Sequence, residues 1–174
     1  MSEIYEILKI ILPSIVMLVA IIYLVKKYFE EEDRKRRLQI IAKNQEIVTP
    51  LKLQAYERII LYLERISPEN LLIRINKPGY NCKQLQNELL NAIKSEFDHN
   101  IAQQLYVSKI AWDMVKTSRA KIIQVINTTN EKFKPEEPSI NLSMAILEIA
   151  MKEPQILPIE AINYLKDEMR TLIG

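Results

Sequence analysis

The fold class is decided by residues 49–75, which read TPLKLQAYERIILYLERISPENLLIRI. Apolar side chains recur there every three or four residues, which is the spacing of an amphipathic helix with one buried face. They are Leu53, Tyr56, Ile60, Leu63 and Ile66. The following Ser67-Pro68-Glu69 predicts a second helix start, because serine caps helices, proline fits the first turn and glutamate favours the positive helix end.

The same signals divide the rest of the chain. The second helix is predicted over residues 68–75, and a third carries apolar residues four apart. Ser108 should cap a long fourth helix, the loop 134–139 precedes a fifth, and Pro158 opens the last. The last helix has a predicted buried stripe of Ile162, Leu165, Met169 and Leu172. With only 2 glycines and no alternating apolar and polar runs, strands are not expected. Residues 49–174 therefore predict an all-α bundle of about five to six helices.

A long apolar run lies near the N-terminus. Residues 10–25 contain no charge, and extension back to Ile4 adds only Glu6 and Lys9. As a helix, residues 4–25 would span about 33 Å, enough for a bilayer core of roughly 30 Å. The start of the chain is acidic, and no small-x-small cleavage site is found near the end of the apolar run. We therefore predict a retained transmembrane helix over residues 1–27 rather than a signal peptide.

The flanks of this run predict its orientation. One lysine precedes it, whereas residues 26–43 hold seven Lys and Arg. Because positive residues stay on the cytoplasmic side, the N-terminus should face out and the bundle should lie in the cytoplasm. Residues 28–48 are predicted to form a charged helical stalk with four acid-to-base pairs at i,i+4. They are Glu30–Arg34, Glu31–Lys35, Glu32–Arg36 and Asp33–Arg37. Pro50 should force Thr49 out of helical geometry and end the stalk by Val48.

Composition limits the chemistry. From Thr49 onward there are 16 Lys and Arg against 15 Asp and Glu, so the basic excess typical of nucleic-acid binding is missing. The single Cys82 cannot form an internal disulfide or a cysteine zinc site, and it is expected to be a buried thiol. We predict no cofactor and no metal. The expected partners are the lipid bilayer and other membrane or membrane-associated proteins, and a homo-oligomer is left open.

The densest polar segment is residues 96–106, EFDHNIAQQLY, which holds the single histidine. Glu96 and His99 are i,i+3, half of the Glu-x-x-His pattern of di-iron bundles, but one histidine cannot complete such a site. His99 with Glu96 or Asp98 could act as a general acid or base. The alternative is a structural corner between two helices, whose polar residues cap helix ends and bond backbone. The residues concerned are Glu96, Asp98, His99, Asn100, Gln103 and Gln104.

Two Glu-Arg pairs lie seven residues apart on the first bundle helix, at Glu57-Arg58 and Glu64-Arg65. This spacing brings them to one face. They form either a solvated surface or a surface that bonds a partner helix.

Three stretches resemble an uncharacterised family of small membrane-anchored proteins from bacteria of the Bacteroidetes group. They are residues 51–58, LKLQAYER, residues 63–70, LERISPEN, and residues 96–108, EFDHNIAQQLYVS, followed by Trp112. The resemblance covers most of residues 51–172 and includes an N-terminal span. It implies the single-span architecture and a bacterial cytoplasmic membrane, but no activity, cofactor or partner.

Two hypotheses of function follow. The first is a membrane-tethered interaction or scaffold module, an accessory subunit of an inner-membrane complex and not an enzyme. Tethering would raise the local concentration of the domain near membrane partners. The alternative is a membrane-bound enzyme that uses His99 with Glu96 or Asp98.

Overall fold

The computed structural model describes the backbone of residues 2–173 and the side chains of residues 15–172. The chain divides into two units, residues 1–48 and residues 49–174. The described backbone contains α-helices and two short 3-10 segments, with no strand beyond one isolated bridge between Asn81 and Pro138. The predicted all-α fold is therefore confirmed.

Helix α1 comprises Ser2–Ile66. It includes Thr49 and Pro50, so the predicted helix break before Pro50 is wrong. The preference of the residue before proline for extended geometry is a local one, and a proline removes a single backbone donor. Helix formation is cooperative, and here helical residues on both sides outweigh that local preference.

In the first unit, the described side chains of α1 are exposed, apart from the half-buried Glu32. Of the four predicted i,i+4 ion pairs, one is present, between Arg36 Nε and Glu32 Oε1 at 3.5 Å. The other three are not formed within this described part of α1. Exposed ion pairs contribute little in water, so their long side chains need not settle into one geometry.

Part of the predicted transmembrane segment lies outside the described residues, since the side chains of residues 1–14 are not described. Among the residues that are described, no helix combines the length and apolar character needed to cross a membrane.

The second unit contains the end of α1 and five further α-helices. Their bounds are α2 Pro68–Ile75, α3 Cys82–Asn100, α4 Lys109–Asn130, α5 Ser139–Lys152 and α6 Ile159–Ile173. The 3-10 segments are Ile101–Leu105, between α3 and α4, and Pro154–Ile156, before α6. The predicted bounds of α2 are confirmed. Ser108 also caps α4 as predicted, because its Oγ accepts a hydrogen bond from Ala111 N at 3.1 Å.

A single apolar core fills the space between these helices. Its largest fully buried members include Tyr56, Ile59, Tyr62, Leu85, Leu89, Ile122 and Leu142. Cys82 belongs to this core, and its Sγ lies 3.5 Å from the Pro138 carbonyl oxygen. The predicted buried thiol is thus confirmed. Burial raises the pKa of this thiol, which keeps it in the unreactive protonated form.

Three local predictions are wrong. Leu53 and Leu172 are exposed rather than buried. Leu53 lies off the core-facing stripe of α1, which is centred on Ile59 and Tyr62. Leu172 lies in the final turn of α6. Ser67 precedes α2 but does not cap it with its side chain. Its Oγ instead donates to the Glu64 carbonyl oxygen at 2.7 Å, which satisfies an orphan carbonyl at the end of α1.

Candidate functional site: the polar end of α3

Glu96 is the centre of an ion-pair network at the polar end of α3. Its Oε1 accepts hydrogen bonds from Arg65 Nη2 at 2.6 Å and Nε at 2.8 Å, and from Arg74 Nη1 at 3.0 Å. Arg74 Nη2 also donates to the Arg65 carbonyl oxygen at 3.3 Å. The Glu96 side chain is 19% exposed, against 53% for Arg65. One partly buried carboxylate thereby connects the end of α1, α2 and α3, and charge-assisted bonds of this kind are the stronger ones.

The neighbours of Glu96 bond to their own helix. His99 is exposed, and its Nδ1 lies 2.6 Å from the Ser95 carbonyl oxygen. Asn100 Nδ2 donates to the Glu96 carbonyl oxygen at 2.8 Å. Both are local contacts of a side chain with the backbone carbonyl one turn earlier in α3. Within the described residues, no hydrogen bond or ion pair joins His99 to Glu96 or Asp98.

The remaining residues of the predicted polar corner do not converge on one point. Asp98 and Gln104 are exposed, and Gln103 is half-buried. The backbone turns here through the 3-10 segment Ile101–Leu105, and Tyr106 N donates to the Gln103 carbonyl oxygen at 3.0 Å. The segment thus forms the turn between α3 and α4.

The two Glu-Arg pairs of α1 have different environments. Glu57, Arg58 and Glu64 are exposed and form no side-chain ion pair among the described residues. Arg65 contacts Glu96 instead. Leu61, between the pairs, is 53% exposed. We call Glu57, Arg58, Leu61 and Glu64 the α1 surface.

Glu168 on α6 is a second polar centre that the sequence did not reveal. Its Oε1 accepts from Tyr56 Oη at 2.8 Å and from Ser108 N at 3.1 Å, and its Oε2 accepts from Ser108 Oγ at 2.9 Å. Since Ser108 caps α4, the carboxylate lies at the positive end of that helix, where a negative charge is favourable. Glu168 thereby connects α1, α4 and α6.

Two buried tyrosines of α1 differ in what their hydroxyl groups contact. Tyr56 bonds Glu168, whereas the Tyr62 hydroxyl has no hydrogen-bond partner among the described residues. Burial raises the pKa of Tyr56 well above its usual value, and the bond to Glu168 raises it further. Burial also raises the pKa of Tyr62, against the lowering effect of the Arg119 charge.

These two tyrosines predict opposite substitution effects. Tyr56→Phe should lower the free energy of unfolding by about 1–2 kcal/mol, because a hydrogen bond to a carboxylate is lost. Tyr62→Phe should leave it unchanged or raise it by up to about 1 kcal/mol, because a buried unpaired hydroxyl is removed. Urea unfolding followed by circular dichroism measures both, and equal losses in the two variants would contradict the assigned hydrogen bonding.

The raised pKa values also predict a pH dependence. Below about pH 10 the tyrosines are neutral in both states, so their contribution to stability is fully present. Above that pH they ionise in the unfolded chain first, and stability is lost as the pH rises toward the folded pKa. The urea midpoint should therefore fall from pH 9 to pH 11, and less steeply in Tyr62→Phe than in the parent.

Comparison with known proteins assigns the chain to a family whose activity is unknown. A family model described as a family of unknown function, DUF7935, matches residues 2–172. The chain belongs to this family. No curated protein and no solved structure matches it significantly. The DUF7935 match includes every polar residue described above.

Proposed function

We propose that this DUF7935 protein is a membrane-anchored interaction module, whose helical bundle recruits or steadies a protein complex at the cytoplasmic face of a bacterial inner membrane. The observation that carries the proposal is how the polar side chains of the bundle are used. Glu96 and Glu168, the two best-connected carboxylates, each hold three helices together. Because these two carboxylates hold the helices in fixed positions, the bundle can present a binding surface on a rigid framework.

The α1 surface is the part of the bundle that we assign to the partner. Its charged groups are exposed and not engaged with other described side chains, and the exposed Leu61 adds an apolar contact between them. Non-obligate protein–protein interfaces commonly have an apolar core that becomes buried and a polar rim that stays in solvent, and an apolar residue flanked by charges fits this composition. Arg65 is left out of this surface because its guanidinium already binds Glu96.

Anchorage is the second part of the proposal and rests on the sequence. The run of residues 10–25 has no charge, and basic residues follow it. A chain held in the membrane meets other membrane proteins at a raised effective concentration, so that weak contacts through a small surface suffice. An inner-membrane location, with the N-terminus outside, accounts for the basic flank.

The test begins with the full-length tagged chain in its native membrane. It should resist extraction by alkaline carbonate, and release into the supernatant would contradict the anchor. After crosslinking and mild detergent, mass spectrometry should identify defined membrane proteins in stoichiometric amounts.

The α1 surface is then tested by charge reversal. Arg58→Glu should lower recovery of those proteins at least about fivefold, since reversal replaces an attraction by a like-charge contact. The matched control is Lys166→Glu, an exposed lysine on α6, which should leave recovery unchanged. Equal recovery with Arg58→Glu and the parent would remove Arg58 from the interface, and loss with both variants would indicate a general charge effect.

A further inference from the structure

Arg119 on α4 is a partly buried cation without a carboxylate partner. Its guanidinium carbon lies 4.2 Å from the centre of the Phe97 ring, and Phe97 stacks on Trp112 with ring centres 5.6 Å apart. The Nε atom is enclosed and has no hydrogen-bond acceptor. Among the described residues, Arg119 forms no side-chain hydrogen bond or ion pair. Its guanidinium rests on an aromatic face instead, and its terminal N–H groups form no hydrogen bond with the described residues.

The Tyr62 hydroxyl is a second enclosed donor without an acceptor in the same neighbourhood. The Tyr62 side chain is 1% exposed, and its ring centre lies 6.0 Å from that of Phe97. Buried donors without acceptors cost free energy and are rare in native proteins. Both donors lie around the Phe97 ring, and neither has an acceptor among the described residues.

A groove of about 480 Å³ borders Arg119. Its polar lining residues are Lys116, Arg119, Gln124, Asn127 and Thr128, and no carboxylate is among the lining residues described. Lys116 is engaged by Asp113, with Nζ and Oδ1 2.7 Å apart. Among the described residues, Arg119 is thus the lining cation that forms no ion pair. The Gln124 and Asn127 amides lie along the same helix, whereas the Thr128 hydroxyl already donates to the Gln124 carbonyl oxygen at 2.9 Å.

Among the described residues, Glu96 does not pair with Arg119 either. The charge of Glu96 influences Tyr62, but its Oε1 is already shared by Arg65 and Arg74. A positive groove with a partly dehydrated guanidinium favours a planar or tetrahedral oxyanion, which accepts several N–H bonds at once.

We propose that the α4 groove at Arg119 is a binding site for an oxyanion, a carboxylate or phosphate group, held by the Arg119 guanidinium and by donors of α4. This inference does not depend on the membrane anchor or on the α1 surface. Inorganic phosphate and acetate serve as probes of the two oxyanion chemistries.

The test uses purified full-length protein in buffers of matched ionic strength made with sodium chloride. Phosphate should raise the melting temperature saturably, by about 3 °C at ten times its dissociation constant. It should also change the fluorescence of Trp112, the single tryptophan, whose ring stacks on Phe97 beneath Arg119. A response to acetate as well would assign the site to carboxylates, and a response to phosphate alone would assign it to phosphate groups.

Variants locate the response. Arg119→Gln should weaken phosphate binding at least about tenfold, and Arg119→Lys, which keeps the charge but not the planar fork, should weaken it several-fold. Arg170→Gln removes an exposed arginine of α6 and should bind as the parent does. Phosphate also stabilises proteins non-specifically, so the increment in each variant is compared with the parent's. An equal increment in Arg119→Gln, or no saturable response to either probe, would overturn the proposal.

Discussion

Replacing Phe97 by alanine is expected to lower the free energy of unfolding by about 3–5 kcal/mol. The ring is almost fully buried and contacts three other large side chains. Trp112 stacks on it, Tyr62 lies tilted against it, and Arg119 covers its face. Alanine would leave a cavity between α1, α3 and α4 and would remove the surface on which the Arg119 guanidinium rests. Urea unfolding followed by circular dichroism and by Trp112 fluorescence measures the loss.

Two further variants separate packing from ring-specific contacts. Phe97→Leu keeps much of the apolar volume, so we expect it to cost about 1–2 kcal/mol, mainly from the lost aromatic and cation–π contacts. Leu105→Ala is the control, because Leu105 lies close by in sequence but is 80% exposed. Its effect should stay within about 0.5 kcal/mol. If Phe97→Ala cost no more than Leu105→Ala, the ring would not be at the centre of this part of the core.

The helix pattern was predictable because its signals are local. Proline and apolar spacing indicate the bounds of α2, Ser108 indicates the cap of α4, and each of these signals acts within about one turn. The helix break predicted at Thr49-Pro50 is an exception, because helix α1 continues through both residues. There the local preference is opposed by cooperative helix formation on both sides, and the sequence near one proline does not reveal which effect is larger.

The polar centres could not be predicted from spacing because their partners are distant in the chain. Glu96 and His99 are three residues apart, which suggested that they interact. In the structure Glu96 contacts Arg65 and Arg74, which are 31 and 22 positions away. Glu168 has no distinguishing signal in the sequence, because an acidic residue on an amphipathic helix is usually solvated. Its partners Ser108 and Tyr56 are 60 and 112 positions away.

The core stripe of α1 shows the same limitation for apolar residues. Ile59 and Ile60 are adjacent and both apolar, so apolar periodicity alone permits either of them at the centre of the buried face of α1. The structure buries Ile59 and Tyr62 fully and leaves Ile60 partly exposed. The choice depends on which helices pack against α1, and that information is carried by residues elsewhere in the chain.

Replacing Glu168 by alanine is expected to lower the free energy of unfolding by about 2–3 kcal/mol. Three hydrogen bonds disappear, and the enclosed Tyr56 hydroxyl loses its acceptor. The cap of α4 also loses a nearby negative charge, while the bond between Ser108 and Ala111 N remains. Glu168→Gln, which keeps one acceptor oxygen, should cost about half as much. Glu160→Ala, at an exposed glutamate of the same helix, should change stability by less than about 0.5 kcal/mol.

The decisive measurement is a double-mutant cycle with Tyr56→Phe. In the parent, Tyr56→Phe removes a bond to a carboxylate. In Glu168→Ala it removes a hydroxyl that is already without an acceptor, and it should then cost nothing or stabilise. The coupling energy is therefore expected to be about 1–2 kcal/mol. If Tyr56→Phe cost the same in both backgrounds, the two groups would act independently, and the Tyr56–Glu168 hydrogen bond would not help to fix α1 in the bundle.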